Sequence, residues 1–305
     1  MTKQIGVISD IHSNYTAFKA AAEYMIGRGI TEFFLLGDYV SDSTDAVETM
    51  QYMRELMGKY KVTAIRGNRE DYLLGQRKVI RGESDEPLWI YNSACGNLLY
   101  TYELLTDEDL DFFESMPISF KYDCQGYPAI TCCHGSPDNS RELLLTKDGS
   151  AESWLKKVDT DYIVAAHTHI QTELEADGKH YFNTGSTGIA IHAPGQAQCL
   201  ILHGYDENEP EGPSWKAELL NIPYDVDYVI DALYEKGLME KGKWFIANNV
   251  YVLKTGIDIT VDFLKKAASL QEEATKEPVT WPYIEEEYFT EAAKIVGIPD
   301  YRERA

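Results

Sequence analysis

Two residues near the start of the chain, Asp10 and His12, stand one residue apart directly after the apolar run Ile5 to Ile8. A carboxylate oxygen beside an imidazole nitrogen is a donor pair for a divalent metal. The same arrangement, a short apolar run ending in a metal-ligating type, recurs along the chain. Phe33 to Leu36 ends in Gly37-Asp38, and Val62 to Ile65 leads to Arg66-Gly67-Asn68. Ala129 to Cys133 ends in His134-Gly135, and Tyr162 to Ala166 ends in His167-Thr168-His169. The chain has only seven histidines, so their concentration at strand ends points to one shared metal site. Open α/β sheets assemble their sites at the carboxyl ends of strands.

The elements that must position these residues are legible from their periodicity. Short continuous apolar runs predict strands buried on both faces. Asn14 to Arg28 and Thr44 to Met57 carry helical spacing between the first three strands, which implies parallel pairing with right-handed crossovers. Leu88 to Tyr102 reads as one helix. Thr106 is the N-cap of another that opens with acids and closes at Pro117. The second half is richer in hairpins: Ile118–Tyr122, Ala129–Cys133, Thr172–Ala176, Lys179–Phe182, Gln198–Leu202 and Trp215–Leu219, with a short helix over Ala151 to Val158. Helical periods return at Asp225 to Lys236, Val261 to Glu273 and Ile284 to Val296. The expected organisation is a domain over residues 1–222 and a helical extension or small domain over 223–305.

Composition narrows the class. The chain has 305 residues, 44% of them hydrophobic, enough for a sizeable core. No apolar run approaches a membrane span, and the first residues lack a signal-peptide pattern. A cytoplasmic protein without membrane partners is the expectation. A net charge of −22 disfavours non-specific nucleic-acid binding, but leaves room for a small anionic phosphate ester if metal ions invert the local field. A homo-oligomer is compatible with these features. The five cysteines include no Cys-x-x-Cys pair and fit free thiols. The neighbours Cys132 and Cys133 are expected on opposite faces of one strand.

The ordered motifs Asp10-Ile11-His12, Gly37-Asp38, Gly67-Asn68-Arg69-Glu70, His134-Gly135 and Ala166-His167-Thr168-His169 resemble the calcineurin-like metallophosphoesterase family over about residues 3 to 205. The loop Asn183-Thr184-Gly185-Ser186 is similar to the Asn-Pro-Gly-Ser loop of its small bacterial and archaeal phosphodiesterases. The resemblance implies a four-layer α/β/β/α sandwich of two mixed β-sheets flanked by helices. It implies two transition-metal ions (manganese, iron, zinc or nickel), one on Asp10, His12 and His169 and the other on Asn68, His134 and His167, with Asp38 between them. The implied reaction is hydrolysis of phosphodiester or phosphomonoester bonds by a metal-bridging hydroxide. A dinucleoside polyphosphate hydrolase is the alternative within that chemistry, and a metal-stabilised interaction scaffold is the alternative outside it.

Three departures qualify the resemblance. Arg69 stands where many members have a histidine. An arginine cannot give up a proton, but it clamps phosphate through a forked donor, so Arg69 is expected as an electrostatic catalytic and substrate-binding residue. Its bland alternative is a salt bridge to Glu70 or Asp71. Ala166 replaces the usual glycine, and Ser41-Asp42 replaces the Asp-Arg-Gly of protein serine/threonine phosphatases. Two softer substrate-binding candidates are Asn14, equally readable as a plain helix N-cap, and His192, for which a bland surface position is the competing reading.

Overall fold

The computed structural model of the protein describes residues 3–210 and 212–302. The first sheet begins with β1 (Lys3–Ile8), β2 (Glu32–Leu35) and β3 (Lys61–Ala64), which pair in parallel. The crossovers between them are α1 (Tyr15–Gly27) and α2 (Ala46–Lys59). Three more helices follow, α3 (Asn68–Ile80), α4 (Gly96–Leu104) and α5 (Asp107–Ser115).

The second sheet contains β4 (Ser119–Tyr122), β5 (Ile130–Cys133), β6 (Tyr162–Ala165), β7 (Thr172–Ala176) and β8 (Lys179–Asn183), with α6 (Ser150–Lys157) between β5 and β6. The chain then returns to the first sheet as the long hairpin β9 (Gln196–Tyr205) and β10 (Ser214–Pro223), with β9 antiparallel to β1. The spatial orders are β10-β9-β1-β2-β3 and β4-β5-β6-β8-β7, both mixed. Four helices close the chain: α7 (Val226–Glu235), α8 (Leu238–Thr255), α9 (Thr260–Thr275) and α10 (Glu286–Val296).

Strand alternation builds the layers. Ile5, Val7, Phe34 and Leu36 face Ile130, Cys132, Val164 and Phe182 in a core between the two sheets. Their sequence neighbours Ile8, Phe33 and Leu35 turn outward against α1 and α2, and Cys133, Ile163 and Ala165 turn outward against α6. Cys132 and Cys133 thus occupy opposite faces, as the strand period requires. The result is the expected α/β/β/α sandwich.

Local chemistry fixes the helix ends. Asn14 caps α1 by accepting a hydrogen bond from the Ala17 N–H at 3.1 Å. Thr106 and Asp109 form a reciprocal capping box at the start of α5.

Three regions differ from the sequence expectation, the first being α3, which no expected element covers. Residues 88–95 are not helical, and Leu88 and Ile90 are 61% and 64% exposed. The Asn92 side chain accepts from the Ala94 and Cys95 N–H groups, a local turn that competes with helix, and α4 starts only at Gly96. Helix α8 was not among the expected elements. Its residues from Trp244 to Val250 are buried without a break, so the segment lacks the polar stripe that marks an amphipathic period.

The helical tail packs on the 88–104 segment. Ala94, Cys95 and Tyr100 share one core cluster with Trp244, Ile246, Phe263 and Phe289. Trp281 Nε1 donates to the Ala94 carbonyl at 2.8 Å, and Ser93 Oγ donates to Glu286 at 2.9 Å. A chain truncated after Pro223 exposes that cluster. It is expected to bind a hydrophobic dye and to melt at a clearly lower temperature than the intact chain; an unchanged Tm would show the tail to be an independent appendage.

Candidate metal centre

The strand ends deliver the ligands to one buried place, and they do so with unusual backbone. Asp10, His12, Asp38, His167 and His169 all have φ between 49° and 67°, the left-handed region that side-chain-bearing residues seldom adopt. Such turns direct each side chain back over the sheet edge. Close backbone contact is the second requirement. A Cβ at Gly67 would lie 2.2 Å from Asp38 Oδ1, and one at Gly37, itself at φ 90°, would lie 2.4 Å from the Gly67 nitrogen. Only glycine at both positions lets the two loops cross.

Glu70 ties that crossing together. Fully buried, it accepts from the N–H groups of Gly67 at 2.7 Å, Asp38 at 2.9 Å and Tyr39 at 2.9 Å. Burial and the neighbouring Asp38 charge raise its pKa to about 7, against the opposing pull of these N–H donors.

Two ligand groups result. In one, donor atoms of Asp10, His12 and His169 lie within 4.8 Å of one another; in the other, those of Asp38, His134 and His167 do. Asn68 joins the second group, its Oδ1 being 3.0 Å from His134 Nε2. Asp38 faces both: Oδ2 is 3.9 Å from His12 Nε2, and Oδ1 is 3.5 Å from His134 Nε2.

The ring orientations are set by outer partners. The Leu36 carbonyl lies 2.7 Å from His134 Nδ1, and the Ile189 carbonyl 3.0 Å from His169 Nδ1. A carbonyl only accepts, so these Nδ1 atoms carry protons and each Nε2 points inward, where it gives a lone pair once deprotonated. His12 Nδ1 lies 2.9 Å from the Asp42 carboxylate as a charge contact and 3.4 Å from Ser41 Oγ. His167 is reversed: its Nε2 meets the Arg141 carbonyl at 3.2 Å, leaving Nδ1 for the centre.

The donor set fits metal ions. His12 Nε2 and His169 Nε2 converge to 3.0 Å, which leaves two lone pairs facing unless a proton or a cation lies between them. Asp10 Oδ2 accepts from Ser9 and the His167 N–H, but the buried Oδ1 has no hydrogen-bond partner. A buried carboxylate oxygen left bare is costly, and a cation supplies the missing partner.

The electrostatics agree. Burial pushes Asp10 upward, but the surrounding imidazoles of His169, His134 and His12 outweigh it and hold the carboxyl well below the usual range. Asp38 follows the same balance, held at about 2 by His134 and His12. In the metal-free site burial lowers His134, and Asp38 and Asp10 more than reverse this, to about 10. Burial and then His134 depress His167 to about 4.

Arg69 lies beside this centre, and neither Glu70 nor Asp71 is its ion-pair partner. One guanidinium nitrogen is 2.9 Å from Asp42 Oδ2, and Nε is 4.0 Å from Asp38 Oδ2 without a hydrogen-bond acceptor. Asp71 pairs with Arg66 instead. Burial would lower the Arg69 pKa, but Asp42 and Asp38 raise it, so the group is a fixed cation. Asp42 therefore holds both His12 and Arg69. Its place, two residues past an unremarkable Tyr39-Val40, carried no sequence signal beyond a carboxylate four residues after Asp38.

Of the softer candidates, Asn14 is buried, caps α1 and donates from Nδ2 to the Gly188 carbonyl at 2.9 Å. Both ends of its amide are thus occupied within the fold. His192 is exposed, is held through its backbone N–H to the Gly256 carbonyl, and does not line the cleft over the metal centre.

The family model for the calcineurin-like phosphoesterase superfamily domain matches residues 4–207. The chain belongs to that superfamily. Every residue of the two ligand groups lies inside the matched span, and the family binds divalent metals. An uncharacterized protein of Methanocaldococcus jannaschii is 26% identical over 255 residues, covering 77% of this chain and 94% of that protein. Among solved structures, a hypothetical protein of Pyrococcus horikoshii superposes with a TM-score of 0.67 at 19% identity, covering 84% of this chain and 99% of that one. A metallophosphoesterase of Sphaerobacter thermophilus superposes at 0.63 with 20% identity, covering 84% and 100%. At these identities the structural likeness establishes the shared phosphoesterase fold.

Metal uptake by this centre should depend on pH. With its pKa near 10 in the metal-free site, His134 is protonated at neutral pH and must lose that proton to bind a metal. Apparent affinity is therefore expected to rise with pH up to about 10 and to weaken steadily below it. Calorimetry in buffers of different ionisation enthalpy should record proton release on binding at pH 7.5; no release would contradict this charge state.

Proposed function

We propose that the protein is a dinuclear metal-dependent phosphoesterase that hydrolyses phosphodiester or phosphomonoester bonds. The observation that carries this reading is Asp38, whose two oxygens face one ligand group each. Asp10, His12 and His169 would hold one ion, Asn68, His134 and His167 the other, and Asp38 would bridge. Two ions, when bound, supply Lewis acidity to the phosphoryl oxygens and acidify a water molecule.

The remaining work belongs to the chain. The Ile189 and Leu36 carbonyls keep the His169 and His134 imidazoles in the tautomer that presents Nε2 to the centre, and the Asp42 carboxylate lies against His12 Nδ1. Arg69 offers Nε–H, which has no acceptor among the described residues, to a non-bridging phosphoryl oxygen. Asp42 fixes the guanidinium in place, so little ordering is required when negative charge grows on those oxygens. Because Arg69 stays charged, it stabilises the oxygens and does not protonate the leaving group. Asn68 precedes it at the start of α3, and their adjacency couples metal and phosphate placement.

The cleft over the centre has a volume of about 370 Å³, and its lining includes Arg69, Arg141 and Lys147. These cations offset the strongly acidic surface where an anionic ester must enter.

Removing the guanidinium tests this role. Arg69→Ala should lower turnover by about 10- to 1000-fold, the range for loss of one preorganised donor. The loss should be similar for nitrophenyl and alkyl leaving groups. Turnover plotted against leaving-group pKa should give parallel lines for wild type and variant; a steeper line for the variant would indicate proton donation from this position and contradict the clamp.

A further inference from the structure

One wall of the cleft comes from outside the family-matched residues 4–207. Phe245, Asn249 and Val252 all line it from α8. Their spacing of four and then three residues places them on one helix face. Phe245 sits with its ring centroid 5.8 Å from the Arg69 guanidinium carbon, so this face reaches the phosphate clamp. Val252 packs with Ile189 and Ile191 in a small apolar cluster backed by Ile170. Ile189 links the wall to the centre, because its carbonyl orients the His169 ring.

Asn249 breaks the apolar face. The residue is only 5% exposed, and its Nδ2 has no hydrogen-bond partner among the described residues. A buried amide donor left bare beside Val252 is unfavourable unless a ligand atom accepts from it. The cationic cleft residues Arg69, Arg141 and Lys147 lie on other segments; α8 contributes none to the lining. The Arg141 guanidinium, moreover, stacks 4.5 Å over the Tyr72 ring.

We infer that the α8 wall is a subsite for an uncharged organic arm of the phosphate ester, one with an apolar body and a hydrogen-bond acceptor that meets Asn249 Nδ2. This rests on the phosphoesterase reading and adds the substrate class to it. The body contacts Val252, Ile189 and Ile191, while the phosphoryl group lies between the metal centre and Arg69. A polyphosphate arm finds no counter-charge on this wall, so an ester with an organic arm is favoured over one extended by further phosphates.

The test compares two diesters with the same leaving group: thymidine 5′-(4-nitrophenyl) phosphate, whose arm carries ring carbonyl acceptors, and methyl 4-nitrophenyl phosphate, whose arm is minimal. With manganese-loaded full-length protein, kcat/KM should favour the thymidine diester by at least about 10-fold, the equivalent of one good hydrogen bond plus some apolar contact. Asn249→Ala and the near-isosteric Asn249→Asp should each cut that ratio about 10-fold. Equal kcat/KM for the two diesters in wild type overturns the inference, as does an Asn249 variant that slows both equally.

Calorimetry separates this outcome from failure of the phosphoesterase reading. Thymidine 5′-monophosphate should bind the manganese-loaded wild type at least about 10-fold more tightly than methyl phosphate. That preference without any turnover would refute the reaction and support the subsite; equal binding of the two would refute the subsite. Thermal melting of each variant identifies any that fail to fold, and the wild-type comparisons hold without them.

Discussion

Two carboxylates and four imidazoles converge at the floor of one cleft, and the surrounding structure is arranged to make that convergence tolerable. Left-handed backbone at five of the ligand positions is unfavourable for side-chain-bearing residues. The packed sheets on either side and the Glu70 carboxylate, with its three backbone donors, hold those turns in place. The bare Asp10 Oδ1 and the facing nitrogens of His12 and His169 remain unsatisfied by protein atoms alone. A cation held by Asp10, His12 and His169 would resolve both, which is why metal binding and local order are expected to be coupled.

The centre was legible in the sequence because its chemistry is local to strand ends. Asp10, Asp38 and His134 each follow a buried apolar run, Asn68 follows the half-buried edge strand β3, and the parallel pairing of β1, β2 and β3 brings the first three loops side by side. Asp42 was not legible in the same way. Its role depends on a tertiary contact with His12 and Arg69 that no spacing encodes. Arg69 was legible as a cation beside a metal ligand, but its partner was not, since Arg66 takes Asp71 and backbone donors take Glu70.

The tail shows a different limit. Helices α7, α9 and α10 have apolar stripes and were readable by period. Helix α8 is buried nearly all round, so the feature that makes it central also removes its signature. Residues 88–95 erred the other way, because apolar residues at near-helical spacing were exposed there and a local Asn92 turn held the backbone. The consequence is functional: the segment hardest to read supplies the cleft wall beyond the metal centre.

The central claim is that two metal ions share Asp38. Metal analysis of purified protein saturated with manganese or zinc and then freed of excess metal tests it most directly. The account predicts two ions per chain in wild type, about one in His12→Ala, where the second group is left whole, and loss from both groups in Asp38→Ala. A wild-type protein that saturates at one ion, or an Asp38→Ala variant that still holds two, would contradict it.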